Sequence, residues 1–161
     1  MHARAAELIQ VLGLQPHPEG GHFIEAFRSS LLVSPTDARA RRSALTVIYF
    51  LLVQGALSRW HCVLSDEAWH WYEGCPLELL TVRPEGGSVS SATLGPLSSN
   101  SAPLHVVPAG WWQAVRPLGA YALVGCSVGP GFEYSDFKLL ASVPEPERPV
   151  FSPGSALAQL L

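Results

Sequence analysis

Apolar and polar positions follow two different periods along the chain. From Ala3 to Leu12, Ala5, Leu8, Ile9 and Leu12 recur at helical spacing and Gly13 supplies a stop, which predicts a short N-terminal helix. After the turn-rich connector Gln15–Gly21 the period drops to two: in His22–Arg28, Phe23, Glu25 and Phe27 alternate with His22, Ile24, Ala26 and Arg28. Strict alternation puts Glu25 and Arg28 on opposite faces, so no local ion pair is expected between them. The segment 29–42 is polar, contains Pro35 and reads as a loop. Residues 44–53 (ALTVIYFLLV) are β-branched and aromatic throughout, as in a strand buried on both faces. Further strands are predicted over 57–64, 67–73, 77–82, 88–94, 104–107, 112–115 and 121–128, with Gly- and Pro-rich turns between them. The aromatic segment 129–137 reads as a loop, the Pro-rich 144–149 as irregular, and Ala156–Leu161 as a short closing helix.

Many short strands with helices only at the ends predict an all-β sandwich or barrel. One domain is expected over residues 1–161: a helix over 1–13, a barrel over 22–143 and a tail over 144–161. No solenoid-length repeat is visible.

Composition narrows the function classes. Charged residues make up 14% of the chain, against an average of about 25%. So little charge implies apolar surface hidden in a barrel core, a subunit interface or both, and a homodimer is the expected assembly. Net charge is −3, and the one basic group, Arg39, Arg41 and Arg42, falls in a loop. Binding to a nucleic-acid polymer has no electrostatic footprint here. Three cysteines, Cys62, Cys75 and Cys126, lack the close spacing of a disulfide framework or structural zinc site. The N-terminus lacks the layout of a cleavable signal, and the apolar runs are too short to cross a membrane. A cytoplasmic protein is expected.

Candidate chemistry concentrates in Gly55–Gly74 (GALSRWHCVLSDEAWHWYEG) and in 106–113 (VVPAGWWQ). Gly55, five residues, His61, then Val63, Glu67 and Gly74 resemble the first motif of the cupin superfamily, with Val63 where a second His stands in that motif. Pro108, Gly110 and Gln113 resemble the second motif, with Gln in place of His. HPEGGHFIEAFRS, ALTVIYFLL, WHCVLSDEAWHWYEG, VVPAGWWQA and LVGCSVGPGFEYSDF are similar to the blocks of one cupin branch, cupin_5, known mainly as a domain of unknown function. The resemblance implies a double-stranded β-helix, the jelly-roll barrel.

In such a barrel, parity places His61 and Val63 on the inner face, Glu67, Trp69 and Trp71 together on the next strand, and Gln113 beside them. Metal-holding cupins use three His and one Glu at these positions. His61, Glu67 and Gln113 are the ligand set left here, which implies at most a weak divalent site. His70 falls on the opposite face unless a bulge turns it inward. Indoles of Trp69, Trp71 and Trp111, with Tyr72, suggest an aromatic pocket wall, although tryptophan in a barrel also serves as core. Arg59 is a further pocket candidate and a potential partner for Glu67.

The segment HFIEAFR after Gly20-Gly21 is also similar to the N-terminal motif of cupin-fold deoxysugar 3,5-epimerases. Glu19 or Gly20 stands where those enzymes carry an Arg, and Arg28 is the substitute cation; Glu25 follows the same motif. The epimerases also use a His base, which His61 matches, and a Tyr acid, which no residue matches. The occupied pocket positions and aromatic lining suggest an enzyme acting on a small polar molecule, a sugar or nucleotide derivative, with His61 as general base, Glu67 as acid or ligand and Gln113 as orienting amide. A non-catalytic ligand-binding barrel and a metal-dependent enzyme with a reduced ligand set are the alternatives. No Ser/His/Asp triad, P-loop or dinucleotide fingerprint is present, and a Cys62–His61 nucleophile pair is excluded by opposite parity.

Overall fold

A computed structural model describes residues 1–151, so the helix expected over Ala156–Leu161 lies outside the described residues. Helix α1 (Ala3–Leu12) ends at Gly13, whose φ of 67° gives the left-handed stop that glycine adopts without strain. Among the described residues, ten strands of three or more residues follow: β1 (His22–Arg28), β2 (Thr46–Val53), β3 (Ser58–Val63), β4 (Asp66–Gly74), β5 (Leu77–Val82), β6 (Ser90–Leu94), β7 (Leu104–Val107), β8 (Trp112–Pro117), β9 (Tyr121–Gly129) and β10 (Phe137–Leu139). Two-residue bridges at Leu32–Val33 and Arg42–Ser43 tie the ends of the 29–42 loop to each other. Val150–Phe151 pairs in parallel with Gly86–Gly87.

The strands form two antiparallel sheets. Gln15–Pro16, β1, β2, β9, β4 and β7 make one; β6, β5, β8, β3 and β10 make the other. Sequence neighbours are often separated in space, the crossed order of a jelly roll. Phe50, Leu52, Trp69, Ala122 and Val124 from the first sheet meet Leu77, Leu79, Leu94 and Val115 from the second. These residues fill one half of the barrel with apolar side chains. At full burial each contributes about 1.5–3 kcal/mol, the larger aromatics most.

Both outer faces are also covered in part. Ala5 and Leu8 of α1 bury against Leu51 and Leu123 on the back of the first sheet. Trp60, Leu80, Trp112 and Leu140 form an apolar layer on the back of the second. This explains the unbroken apolar run of β2: Phe50 and Leu52 face the barrel, while Leu51 faces the helix, and all three are fully buried.

Three register shifts decide which side chains enter the barrel. In β1, Glu25 pairs with Ile48 and Phe27 with Val47, so Ala26 is bulged. Arg28 then shares a face with Glu25, and the two make a bidentate ion pair at 3.0 and 2.8 Å. The separation of Glu25 and Arg28 expected from strict alternation is therefore corrected by one extra residue in the strand. In β3, His61 pairs with Gln113 and Ser58 with Val115, so Ser58 and His61 share the inner face despite odd spacing. In β4 the shift falls at Tyr72, beyond Trp71.

Candidate functional site in the barrel

The unfilled half of the barrel contains a cavity of about 140 Å³. His61 and Val63 reach it from β3, Glu67 from β4, Cys126 and Val128 from β9, and Thr46 and Ile48 from β2. Glu25 and Arg28 border it from β1. The connector before β1 adds His17 and Glu19, the loop after β9 adds Phe132, Glu133 and Tyr134, and the start of β10 adds Phe137.

Glu19 owes its position to the glycine that follows it. Gly20 has φ of 117°, and a Cβ there would fall 1.9 Å from the Leu57 carbonyl oxygen. Only glycine allows the connector to lie this close to the start of β3. The approach is fixed by the Arg59 N–H donating to the Glu19 carbonyl at 2.9 Å. The Glu19 carboxyl, 6% exposed, accepts from Ser58 Oγ at 2.9 Å and lies 3.3 Å from His61 Nε2. His61 Nδ1 lies 2.7 Å from the Arg59 carbonyl oxygen. A carbonyl can only accept, so Nδ1 carries the proton in the neutral ring and Nε2 faces Glu19 with its lone pair.

Burial governs the charges. It pushes the Glu19 carboxyl up to about 8, against smaller opposing effects of Ser58 and Arg59. His61 is lowered by burial, with Glu67 opposing. Glu67 is raised, first by burial and further by the nearby Glu19. His17 is lowered to about 4 by burial and by His61. Burial thus works against charge on both Glu19 and His61 and favours a carboxylic acid donating to Nε2 over an ion pair. Carboxyls and imidazoles held this way exchange protons readily, which suits acid–base chemistry.

Gln113 is buried behind Glu67. Its Oε1 accepts from Trp69 Nε1 at 2.9 Å, and its Nε2 donates to Glu67 Oε2 at 2.6 Å. Indole N–H is donor only, so this fixes the amide orientation. The metal set inferred from His61, Glu67 and Gln113 does not fit this geometry. The amide oxygen is occupied by Trp69, the amide nitrogen faces Glu67, and Val63 offers no donor. Among the described residues no group of three His, Cys, Asp or Glu side chains is arranged to hold a metal ion.

Several pocket candidates stand elsewhere. Trp69 is interior, as parity requires, but it fills the apolar half with Phe50. Trp71 and Trp111 pack against the same cluster, Trp71 donating to the Cys75 carbonyl and Trp111 lying under Arg83. The cavity wall is instead phenyl and phenol: Phe23, Phe132, Tyr134 and Phe137. His70 pairs with Gly125 across the sheet, on the outer face, where its Nε2 is 3.4 Å from Ser127 Oγ. Tyr72 is also outside, its ring over Gly125. Arg59 is exposed and donates to the carbonyls of Pro18 and Glu19, not to Glu67.

His17, Glu19 and the three loop aromatics were missed as site residues because they lie in segments without strand periodicity. The double glycine after Glu19 and the aromatic density of GPGFEYSDF were the available signals.

Comparison with known proteins agrees with this architecture. No curated protein matches the chain significantly. A solved Shewanella oneidensis protein is 34% identical, with 84% of this chain and 83% of that one covered and a TM-score of 0.76. A hypothetical protein from Leishmania major is 28% identical over 97% of each chain, with a TM-score of 0.82. Bacillus subtilis oxalate decarboxylase shares the fold alone, at 16% identity, 81% of this chain, 32% of its own and a TM-score of 0.58. The family model described as "Cupin superfamily (DUF985)" matches residues 6–140, and the chain belongs to that family of jelly-roll cupins.

Proposed function

We propose that the barrel binds a small polar metabolite and transfers a proton to or from it. The observation that carries this reading is the Glu19–His61 contact at 3.3 Å, buried at the wall of a cavity that Glu67 also lines. The Glu19–His61 pair is the group that takes or returns a proton. Glu67, its carboxyl raised by burial, is the acid, and Gln113 orients it. For proton abstraction next to a carbonyl, the C–H proton passes to the Glu19 carboxyl as that carboxyl's own proton moves onto His61 Nε2. The electron pair moves onto the carbonyl oxygen, which is protonated by Glu67. Return of a proton to the carbon completes an isomerisation or epimerisation with no other reactant.

The cavity of about 140 Å³ is about ten times the ~10–15 Å³ that a single water needs. A single sugar-sized ring matches that space better than a whole nucleotide, whose remainder would lie outside the mouth. The test is solvent exchange: the protein in D₂O with hexoses and nucleotide sugars, followed by proton NMR for loss of C–H signals. Exchange should occur with the wild type and disappear in His61→Ala. Equal exchange in both would remove His61 from the chemistry.

A second reading, a binding barrel without turnover, draws support from Val63 and Gln113, which stand where a catalytic metal site would need imidazoles. Saturable binding with no exchange of any ligand proton would favour it. Two copies pairing through the exposed edge of β7, where Leu104 and Val106 are half out in solvent, fit the low charge of the chain.

A further inference from the structure

His17 brings to the cavity a hydrogen-bond donor that no protein group uses. The segment from His17 to Gly21 is a closed turn: the Gly20 N–H donates to the His17 carbonyl at 3.0 Å, and the His17 N–H donates to the Gly21 carbonyl at 3.1 Å. Within it the Glu19 N–H donates to His17 Nδ1 at 3.3 Å. A ring nitrogen that accepts carries no proton, so in the neutral ring the proton sits on Nε2. The Glu19 carboxyl does not reverse this, since its Oε2 lies 3.6 Å from Nδ1, beyond hydrogen-bond reach. Burial, and His61 after it, lower the ring to about 4, so it is neutral at pH 7. The side chain is 7% exposed and lines the cavity. Phe23, Phe50 and Phe137 meet the ring edge-to-face, with centres 4.5, 5.8 and 6.0 Å away. These phenyls hold its tilt and offer no acceptor. Among the described residues Nε2 has no hydrogen-bond partner. The unpartnered side-chain nitrogens that the fold seals off there are His22 Nδ1 and Trp60 Nε1. His17 Nε2 is not sealed, and the cavity is the space its ring borders. A largely buried donor without an acceptor is costly, and a ligand that supplies the acceptor removes that cost.

We propose that His17 is a specificity residue of this cavity, its Nε2–H donating to an oxygen of the bound metabolite. This rests on the cavity being the ligand site and narrows the ligand to a compound that presents a carbonyl or hydroxyl oxygen to His17. A methyl or ammonium group set there would leave the donor unmet. The backbone N–H that sets the His17 proton belongs to Glu19, whose carboxyl faces His61. One residue thus orients the donor that holds the ligand and supplies the carboxyl that works on it.

The test uses the full chain and two six-membered rings of matched shape, cyclohexanone and methylenecyclohexane, which differ in carrying O or CH₂ at one position. Binding is read by NMR titration. Long-range proton–nitrogen spectra should show His17 as the Nε2–H tautomer at pH 7, with the Nε2–H signal moving as cyclohexanone is added. His17→Phe should weaken cyclohexanone by about tenfold, the scale of one buried hydrogen bond, and leave methylenecyclohexane unchanged. His17→Gln, whose amide nitrogen takes the place of Nε2, should keep cyclohexanone within about threefold of the wild type. Neither variant retains Nδ1, the acceptor for the Glu19 N–H. Equal losses in the two would therefore mean that His17 acts only by placing Glu19, and would overturn the proposal. An Nδ1–H tautomer, or undiminished cyclohexanone binding by His17→Phe, would overturn it too, as would a wild type that does not bind cyclohexanone. The α-protons of the same ketone judge the chemistry separately: binding without deuterium exchange would sink the proton-transfer reading and leave this one standing.

Discussion

His61 touches two partners that demand opposite things of its two nitrogens: Nδ1 lies 2.7 Å from the Arg59 carbonyl, and Nε2 lies 3.3 Å from a Glu19 oxygen. The first contact fixes a proton on Nδ1. Burial of both groups favours the second as a neutral contact in which the carboxyl brings a proton of its own. Long-range proton–nitrogen NMR should show His61 as the neutral Nδ1–H tautomer at pH 7. A ring protonated on both nitrogens at that pH would contradict the shared-proton pair.

Stability should record the buried carboxyl. A group whose folded pKa is raised stabilises the fold at pH below its unfolded value, and that stability is lost as pH rises toward the folded value. For Glu19 the window runs from the ordinary 4.5 to about 8. His17 runs the other way: lowered from 6.5 to about 4, it costs stability as pH falls through that interval. The two oppose each other below pH 6.5, leaving Glu19 to act above it. Urea midpoints of the wild type should therefore fall from pH 6.5 to 8. Glu19→Gln keeps a donor for Nε2 and should flatten that decline; an unchanged slope would show that Glu19 ionises normally.

Gln113 has a structural task separable from any chemistry. Gln113→Leu strips a buried partner from both Trp69 Nε1 and Glu67 Oε2. Each buried polar group left without a partner costs about 1–3 kcal/mol, so a loss of about 2–6 kcal/mol in unfolding free energy is expected by chemical denaturation. A neutral outcome would mean that water replaces the amide.

Much of the fold was legible in the sequence and less of the site. The β1, β5 and β7 boundaries were predicted to the residue, because alternation and flanking turn residues agree there. The inward direction of His61 and Glu67 also followed from alternation. The Glu25–Arg28 pair did not, because a single bulged residue at Ala26 reverses parity, and bulges leave little trace in composition. Tryptophan misled for a related reason: alternation gives the side of a sheet but not the depth along the barrel. Trp69 and Glu67 face the same way, yet one seals the apolar half and the other borders the cavity.

Arg28 joins β1 to the aromatic loop through Glu25, Glu133 and the Phe132 carbonyl. All three side chains are more than a third exposed, so Arg28→Ala should cost at most about 1 kcal/mol of global stability. Its effect should be local. Amide hydrogen exchange across 132–137 should quicken while β2 and β9 keep their protection. Uniform acceleration across all strands would assign Arg28 to the general framework instead.

The connector at Glu19 comes from outside the wound strands, yet Gly20 lets it deliver one of the cavity's two most buried carboxyls. Two sources thus share one chemical surface: the wound strands, contributing His61 and Glu67, and a short strap pinned onto them, contributing His17 and Glu19. Changes of taste for one molecule over another can accumulate in the strap and in the aromatic loop. The shell, with its interlocked interior, need not be rebuilt when they do.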